Sequence, residues 1–375
     1  MTPPVVGLAF GTRSEVVKLA PVVRALDAAS VRTVLFSTGE HRALLDQALG
    51  FFGLRPEHDL ALMTEDQGQP ALLGGVIDGM SKRLAANPVS LLLVRGDTAS
   101  ALGSALAAFL TRVPVAHIEA GLRSHDVSQP FPEEVYRTQI SHLASWHFAP
   151  TTGARENLLK EGIDGKRIFV TGNPGVDSVR WAREQLTARP WLGTPFPLPH
   201  RPERFALVTC HRHENIGAGL ASLAATLRDI AREREDLHFV WPIHPQRSVR
   251  QAVEEALIGV ARVHLIEPVD YPTLLRLLEA CHFVVTDSGT LQEEAAEFGK
   301  PSVVLRLVTD RPELVESGGA LLVGTEPRRI RAAVDRLADD RTYYERMAGV
   351  GNPFGDGQAG LRIVRMLERS HFTAP

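Results

Sequence analysis

Short runs of β-branched residues and leucine alternate with amphipathic stretches of helical length along nearly the whole chain, and this alternation restricts the fold more than any other feature. A strand, a helix and a second strand in succession close a right-handed crossover, giving parallel sheets covered by helices. Strand candidates in the first half are Val5–Phe10, Thr33–Ser37, Ser90–Val94, Val115–Ile118, Trp146–Phe148 and Arg167–Val170. Helical patterns fill the gaps at Ser14–Ala28, Arg42–Phe52, Pro70–Ala86, Thr98–Thr111, Pro132–Ala144 and Ala154–Lys160. Strands recur at Phe205–Thr209, His238–Trp241, Val263–Leu265, Phe283–Val285, Ser302–Leu305 and Ala320–Val323. The proline-rich stretch Arg189–Arg204 separates the two series, so the domain boundary is expected between Gly172 and Pro202. The chain's 375 residues also suit two domains. The expected fold is α/β, two Rossmann-like doubly wound domains facing a cleft. Ligands of such sheets bind beyond the carboxyl ends of the strands.

Composition excludes several partner classes. A net charge of −3 gives no basic excess for nucleic acid. The only cysteines are Cys210 and Cys281, which fits a reducing compartment rather than a disulfide framework. The first residues lack the basic and apolar regions of a signal peptide. The longest apolar run, near Ala99–Leu110, falls short of the ~20 residues that span a bilayer. A cytoplasmic protein without membrane or nucleic-acid partners is expected.

Five segments carry candidate chemistry. In Phe10-Gly-Thr-Arg-Ser-Glu-Val-Val-Lys18 a strand runs into a helix, whose first amides, with Arg13 and Lys18, suit an anion. The alternative is a plain turn with two solvated cations. Asp97, in Arg95-Gly-Asp97-Thr98, reads when taken alone as a helix cap. Glu119 closes an apolar strand, where a carboxylate must be solvated or paired; Arg123 and Arg137 are candidate partners. Glu133 and Glu134 suit a first helical turn, but with Glu119 they also form the kind of display that acid–base chemistry uses. His211 and His213 alternate after a strand, as does His244 after another; without a convincing further ligand no metal is expected, and a phosphate contact from His211 or Arg212 fits better. In Thr286-Asp-Ser-Gly-Thr290, Ser288 and Gly289 open a helix that carries Glu294. This suits a phosphate and a ribose diol, or else a near capping box. Arg311 adds a phosphate or carboxylate ligand.

In order, Gly11-Thr-Arg, Thr38-Gly-Glu-His-Arg, Gly96-Asp-Thr, Glu119-Ala-Gly-Leu-Arg, Pro132-Glu-Glu, Thr171-Gly-Asn, His211-Arg-His-Glu-Asn, Thr286-Asp-Ser-Gly, Gln292-Glu-Glu, Arg311-Pro-Glu and Asn352-Pro-Phe-Gly-Asp-Gly resemble the non-hydrolysing UDP-N-acetylglucosamine 2-epimerases. The resemblance implies a glycosyltransferase-B-like architecture, with domains 1–172 and 173–356 and a final helix, 357–375, returning to the first. It implies a homodimer, no cofactor, and interconversion of UDP-N-acetylglucosamine and UDP-N-acetylmannosamine through elimination of UDP. By resemblance Arg13, His211, Ser288, Gly289, Thr290, Glu294 and Arg311 lie at UDP. Lys18, Asp97, Glu119, Glu133 and Arg137 surround the sugar, with Asp97, Glu119, Glu133 and His211 as the catalytic set.

The chain departs from the family pattern at Ser14 (usually proline), Arg95 (usually histidine), Thr290 (usually glycine) and Cys210/His213. Glu40 stands where an activator site for a second UDP-sugar has glutamine and Ala43 near a second position, while Gln67 matches; activation by substrate is not expected. The alternatives are a hydrolysing epimerase, an epimerase of a modified UDP-sugar, a glycosyltransferase of the same architecture, and a non-catalytic sensor.

Overall fold

A computed structural model describes residues 3–40, 42–63, 68–190, 192–193, 196–198, 200–243 and 247–372, the side chains of 213 and 247–249 excepted. The chain divides into two compact units. Unit 1 comprises Met1–Ser128, Pro132–Trp181 and Phe354–Pro375; unit 2 comprises Gln129–Phe131 and Ala182–Pro353.

The strands of unit 1 are β1 (Val5–Phe10), β2 (Arg32–Ser37), β3 (His58–Asp59), β4 (Leu91–Arg95), β5 (Val115–Ile118), β6 (Trp146–Ala149) and β7 (Ile168–Val170). Its helices are α1 (Arg13–Ala28), α2 (Arg42–Phe52), α3 (Gln69–Ala86), α4 (Ala99–Leu110), α5 (Glu133–Leu143) and α6 (Thr152–Lys160). Helix α7 (Pro174–Ala188) contains the division between the units. Unit 2 has β8 (Phe205–Thr209), β9 (His238–Pro242), β10 (Val263–Ile266), β11 (Phe283–Thr286), β12 (Ser302–Val304) and β13 (Ala320–Leu322). Its helices are α8 (Ala218–Glu233), α9 (Arg247–Leu257), α10 (Tyr271–Ala280), α11 (Gly289–Glu297), α12 (Pro312–Glu316), α13 (Pro327–Asp339) and α14 (Arg341–Ala348). Helix α15 (Ala359–Arg369) belongs to unit 1.

Both sheets are parallel throughout and doubly wound, as the alternation requires. The order is β3-β2-β1-β4-β5-β6-β7 in unit 1 and β10-β9-β8-β11-β12-β13 in unit 2. The order reverses between β1 and β4 and again between β8 and β11, the two places where such a sheet opens a crevice at its carboxyl edge. The central strands are apolar on both faces because helices cover both: every residue of β4 is buried, and β8 is buried through Val208.

Helix α1 shows how local sequence sets this edge. Thr12 is its N-cap and Glu15 completes a capping box. Pro21 lies inside the helix and has no N–H to give the carbonyl of Val17. The Ser178 hydroxyl of α7 donates to that carbonyl instead. Helix α15 packs on α1 closely enough that a Cβ at Gly360 would stand 2.8 Å from the carbonyl oxygen of Pro21.

The structure corrects three sequence expectations. Thr98, not Asp97, caps α4, its hydroxyl accepting from the Ala101 amide at 3.0 Å. The two-residue strand β3 and helix α7 are additions; α7 begins with a proline inside the stretch read as a boundary. No described helix is long and apolar enough to cross a membrane.

Candidate active site

The candidate residues of unit 1 fall beyond the ends of β1, β4 and β5 and on the helices beside them. Lys18, on α1, is fully buried, and its Nζ lies 2.5 Å from Oε1 of Glu119. Asn173 donates to the same oxygen at 3.0 Å, and the Arg95 guanidinium engages Oε2. Glu119 follows β5 directly with φ 66°, a left-handed conformation costing roughly 1 kcal/mol or more for a non-glycine residue. Two residues on, Gly121 has φ 88°, and a Cβ there would collide with the Ala154 carbonyl. The backbone is thus folded sharply so that the Glu119 carboxylate meets two cations.

Asp97 projects from the turn after β4 and pairs with Arg137 of α5. Arg137 also lies 3.4 Å from Glu134, whose carboxylate accepts the amides of Ser124 and His125 at about 3.0 Å. Arg123, one of the two partners that the sequence suggested for Glu119, is instead held 2.7 Å from Glu161. Glu133 is partly buried on the first turn of α5. Burial pushes the Glu40 carboxyl above its ordinary range, the Glu133 charge pushes in the same direction, and the Ser100 hydroxyl at 2.8 Å opposes both. Burial, reinforced by Glu40, likewise raises Glu15.

At the start of α1 the amides of Gly11 and Thr12, which precede the helix, each donate to Glu15 at 2.8 Å. Gly11 is required for close packing: a Cβ there would collide with the hydroxyls of Thr38 and Ser100. Arg13 opens the helix and is partly buried.

In unit 2 the candidates flank the β8/β11 reversal. Asp287, fully buried, accepts the His211 and Arg212 amides at 2.9 Å and the Asn215 amide at 3.0 Å. Burial alone would raise its pKa, but the His211 charge and these hydrogen bonds outweigh that and hold it below the usual carboxylate range. The His211 ring, partly exposed, has Nδ1 3.6 Å from Oδ1 of Asp287. Ser288 is the N-cap of α11, with Gly289 and Thr290 opening the helix and Glu294 buried on its second turn. Arg311 lies across Gly289 so closely that a Cβ would enter its guanidinium. The guanidinium is held there by Glu293 at 2.6 Å and Asp310 at 2.7 Å.

The structure therefore joins Lys18 with Glu119, Asp97 with Arg137, and Gly289 with Arg311. The roles of Arg95 and Asn173 at Glu119, and of Asp287 and Glu293 behind His211 and Arg311, were not read from the sequence. Their partners are 18 to 76 residues away, beyond any local pattern. The readings at the His213 side chain, His244 and Gln67 lie outside the described residues. Among the described residues no group of three or more His, Cys, Asp or Glu could hold a metal.

Comparison with known proteins identifies the family of the chain. A sequence model for UDP-N-acetylglucosamine 2-epimerase matches residues 24–368. The chain is 40% identical over 373 residues to UDP-N-acetylglucosamine 2-epimerase of Escherichia coli O157:H7, spanning 97% of this chain and 98% of that one. The Neisseria meningitidis UDP-GlcNAc 2-epimerase bound to UDP-GlcNAc superposes with a TM-score of 0.93 at 36% identity, over 98% of this chain and 100% of that one. The glycotransferase of kitacinnamycin is similar in fold alone, with a TM-score of 0.65 at 17% identity over the whole of both chains. Two doubly wound parallel sheets and a match running from end to end place the chain in the UDP-N-acetylglucosamine 2-epimerase family.

Proposed function

We propose that the chain interconverts UDP-N-acetylglucosamine and UDP-N-acetylmannosamine without releasing the sugar. The observation that carries this reading is the division of labour between two clusters. Carboxylates held beside cations in unit 1 suit proton transfer, whereas the start of α11 with Arg311 and His211 in unit 2 suits a diphosphate. Relatives named as UDP-N-acetylglucosamine 2-epimerases match nearly the full chain.

The chemistry requires both clusters. The C2 hydrogen is not adjacent to a carbonyl, so its direct removal at neutral pH is too slow. Breaking the C1–O bond first sends its electron pair to UDP and leaves an oxocarbenium-like sugar, in which the C2 proton is acidic. A base then takes that proton, leaving 2-acetamidoglucal and UDP. In the return step UDP oxygen re-forms the bond to C1 and an acid delivers a proton to the opposite face of C2. One elimination is anti and the other syn, so either two acid–base groups flank C2 or the glycal turns over. Asp97, Glu119 and Glu133 are the proposed acid–base set. Arg13, His211 and Arg311 stabilise the departing diphosphate, Ser288, Gly289, Thr290 and Glu294 hold UDP, and Lys18 and Arg137 hold the sugar. The same reading includes a homodimer acting in the cytoplasm.

The test is proton NMR of the protein with UDP-N-acetylglucosamine in deuterated water. The expected result is the anomeric signal of UDP-N-acetylmannosamine, deuterium at C2 and no free sugar. Free N-acetylmannosamine with UDP would instead mark a hydrolysing enzyme, and no turnover would overturn the reading.

A further inference from the structure

By the resemblance drawn from the sequence, position 95 departs from the expected histidine with an arginine, and the structure shows where that charge goes. The Arg95 side chain is 5% exposed and the Glu119 side chain 1%. One terminal nitrogen of the guanidinium meets Oε2 of Glu119, while the other reaches the Ser14 hydroxyl at 3.5 Å. Its Nε finds no hydrogen-bond acceptor among the described residues. Ser14 is the other departure beside it, and its hydroxyl is 3.1 Å from that of the helix cap Thr12. Lys18 and Asn173 occupy the opposite oxygen, Oε1. A carboxylate so enclosed is held in one orientation by charges on both sides. A buried carboxylate between two cations strongly favours its ionised form.

We propose that Arg95 is a positioning residue that, from the Oε2 side, keeps Glu119 ionised and aimed. This narrows the three-carboxylate set given above: Glu119 acts as a fixed anion that orients Lys18, and proton transfer at C2 falls to the other two, Asp97 and Glu133. This deepens the epimerase reading and rests on it for the chemistry, but not for the charge state of Glu119. The groups set against Glu119 include Lys18 from α1, Arg95 from the end of β4, His117 from β5 and the neutral Asn173 after β7. His117 is kept neutral by burial, and the nearby Asp97 is paired with Arg137. Lys18 and Arg95 are cations set directly on the carboxylate, one on each oxygen.

The test is carbon-13 NMR of the full chain labelled at glutamate carboxyls, with the Glu119 signal identified by its loss in Glu119→Gln. In the unaltered protein Glu119 should stay ionised down to at least about pH 4, below the ordinary glutamate value. In Arg95→Gln its midpoint should rise by about one pH unit or more, a tenfold change in proton affinity for each unit. The acidic limb of kcat/KM should move with it, while the alkaline plateau falls by less than about threefold. Arg95→Lys, which restores the charge, should return both limb and midpoint towards the original. Titration of Glu119 above about pH 5 in the unaltered protein would overturn the proposal, even if Arg95→Gln fails to fold. So would an unmoved midpoint in Arg95→Gln, or a rate lowered equally at every pH. If the unaltered chain turns over no UDP-sugar, the epimerase reading fails while the carboxyl titration still decides the role of Arg95.

Discussion

The two units repeat one architectural device and fill it with opposite chemistry. Each places its candidate residues where the strand order reverses, beside β1/β4 in unit 1 and β8/β11 in unit 2. In unit 1 carboxylates line the edge: Glu15 takes the amides of Gly11 and Thr12 just before α1, Glu119 is clamped by Lys18 and Arg95, and Asp97 pairs with Arg137. In unit 2 the carboxylates stand behind the edge. Asp287 secures the amides of His211 and Arg212, and Glu293 with Asp310 holds Arg311 across Gly289, so the cationic and hydroxyl groups form the front. Topology thus fixes where such candidate residues gather, and a handful of long-range ion pairs decides which charges each edge displays.

The largest expected effect breaks this contrast on the unit 1 side. Asp97→Asn or Glu133→Gln should lower kcat by about a thousandfold, within the usual range for general acid–base groups. UDP affinity measured by calorimetry should hold within about threefold; a large loss of UDP binding would show that the division of labour is wrong. Next is stability in acid. Burial pushes the His117 imidazole down to about 4 and that of its cross-strand neighbour His147 to about 3. Both are neutral in the folded state but take up protons in the unfolded chain below an ordinary value of about 6.5. The unfolded state therefore binds more protons, and stability present above pH 6.5 is lost as pH falls towards 4. For His117 this amounts to roughly 3 kcal/mol, and His147→Phe should flatten the decline seen in urea unfolding at several pH values.

On the unit 2 side, Gly289→Ala must displace Arg311 and should weaken UDP binding by roughly tenfold to a hundredfold, leaving the midpoint of thermal unfolding nearly unchanged. The smallest effect is local to α1. Ser178→Ala leaves the Val17 carbonyl without its donor and should cost about 1 kcal/mol in urea unfolding, with kcat intact.

Much of this was legible in the sequence. Strands and helices with strong periodicity, such as β1, β5, β8 and α2, have the bounds that their apolar runs imply. The edge strand β3 escaped because two residues carry no period, and α7 because its opening proline follows Gly172-Asn173, a pattern that also marks a linker. The candidate positions could be read as strand ends, but not the partners that set their chemistry. Nothing near Glu119 in sequence points to Lys18, 101 residues earlier. At Thr12-Arg-Ser-Glu15 the residue types were visible while their use was not: Thr12 and Glu15 form a capping box in which Glu15 also reaches back to the Gly11 amide.

The seating of α15 on α1 sets an order of events during synthesis. Gly360 meets the carbonyl of Pro21, and its amide donates to Asp177 at 2.9 Å, so the outer face of α1 is covered by residues made long after it. All of unit 2 leaves the ribosome in between. The nascent first sheet therefore waits with α1 uncovered until residues 354–375, made after all of unit 2, supply the helix that seats on it.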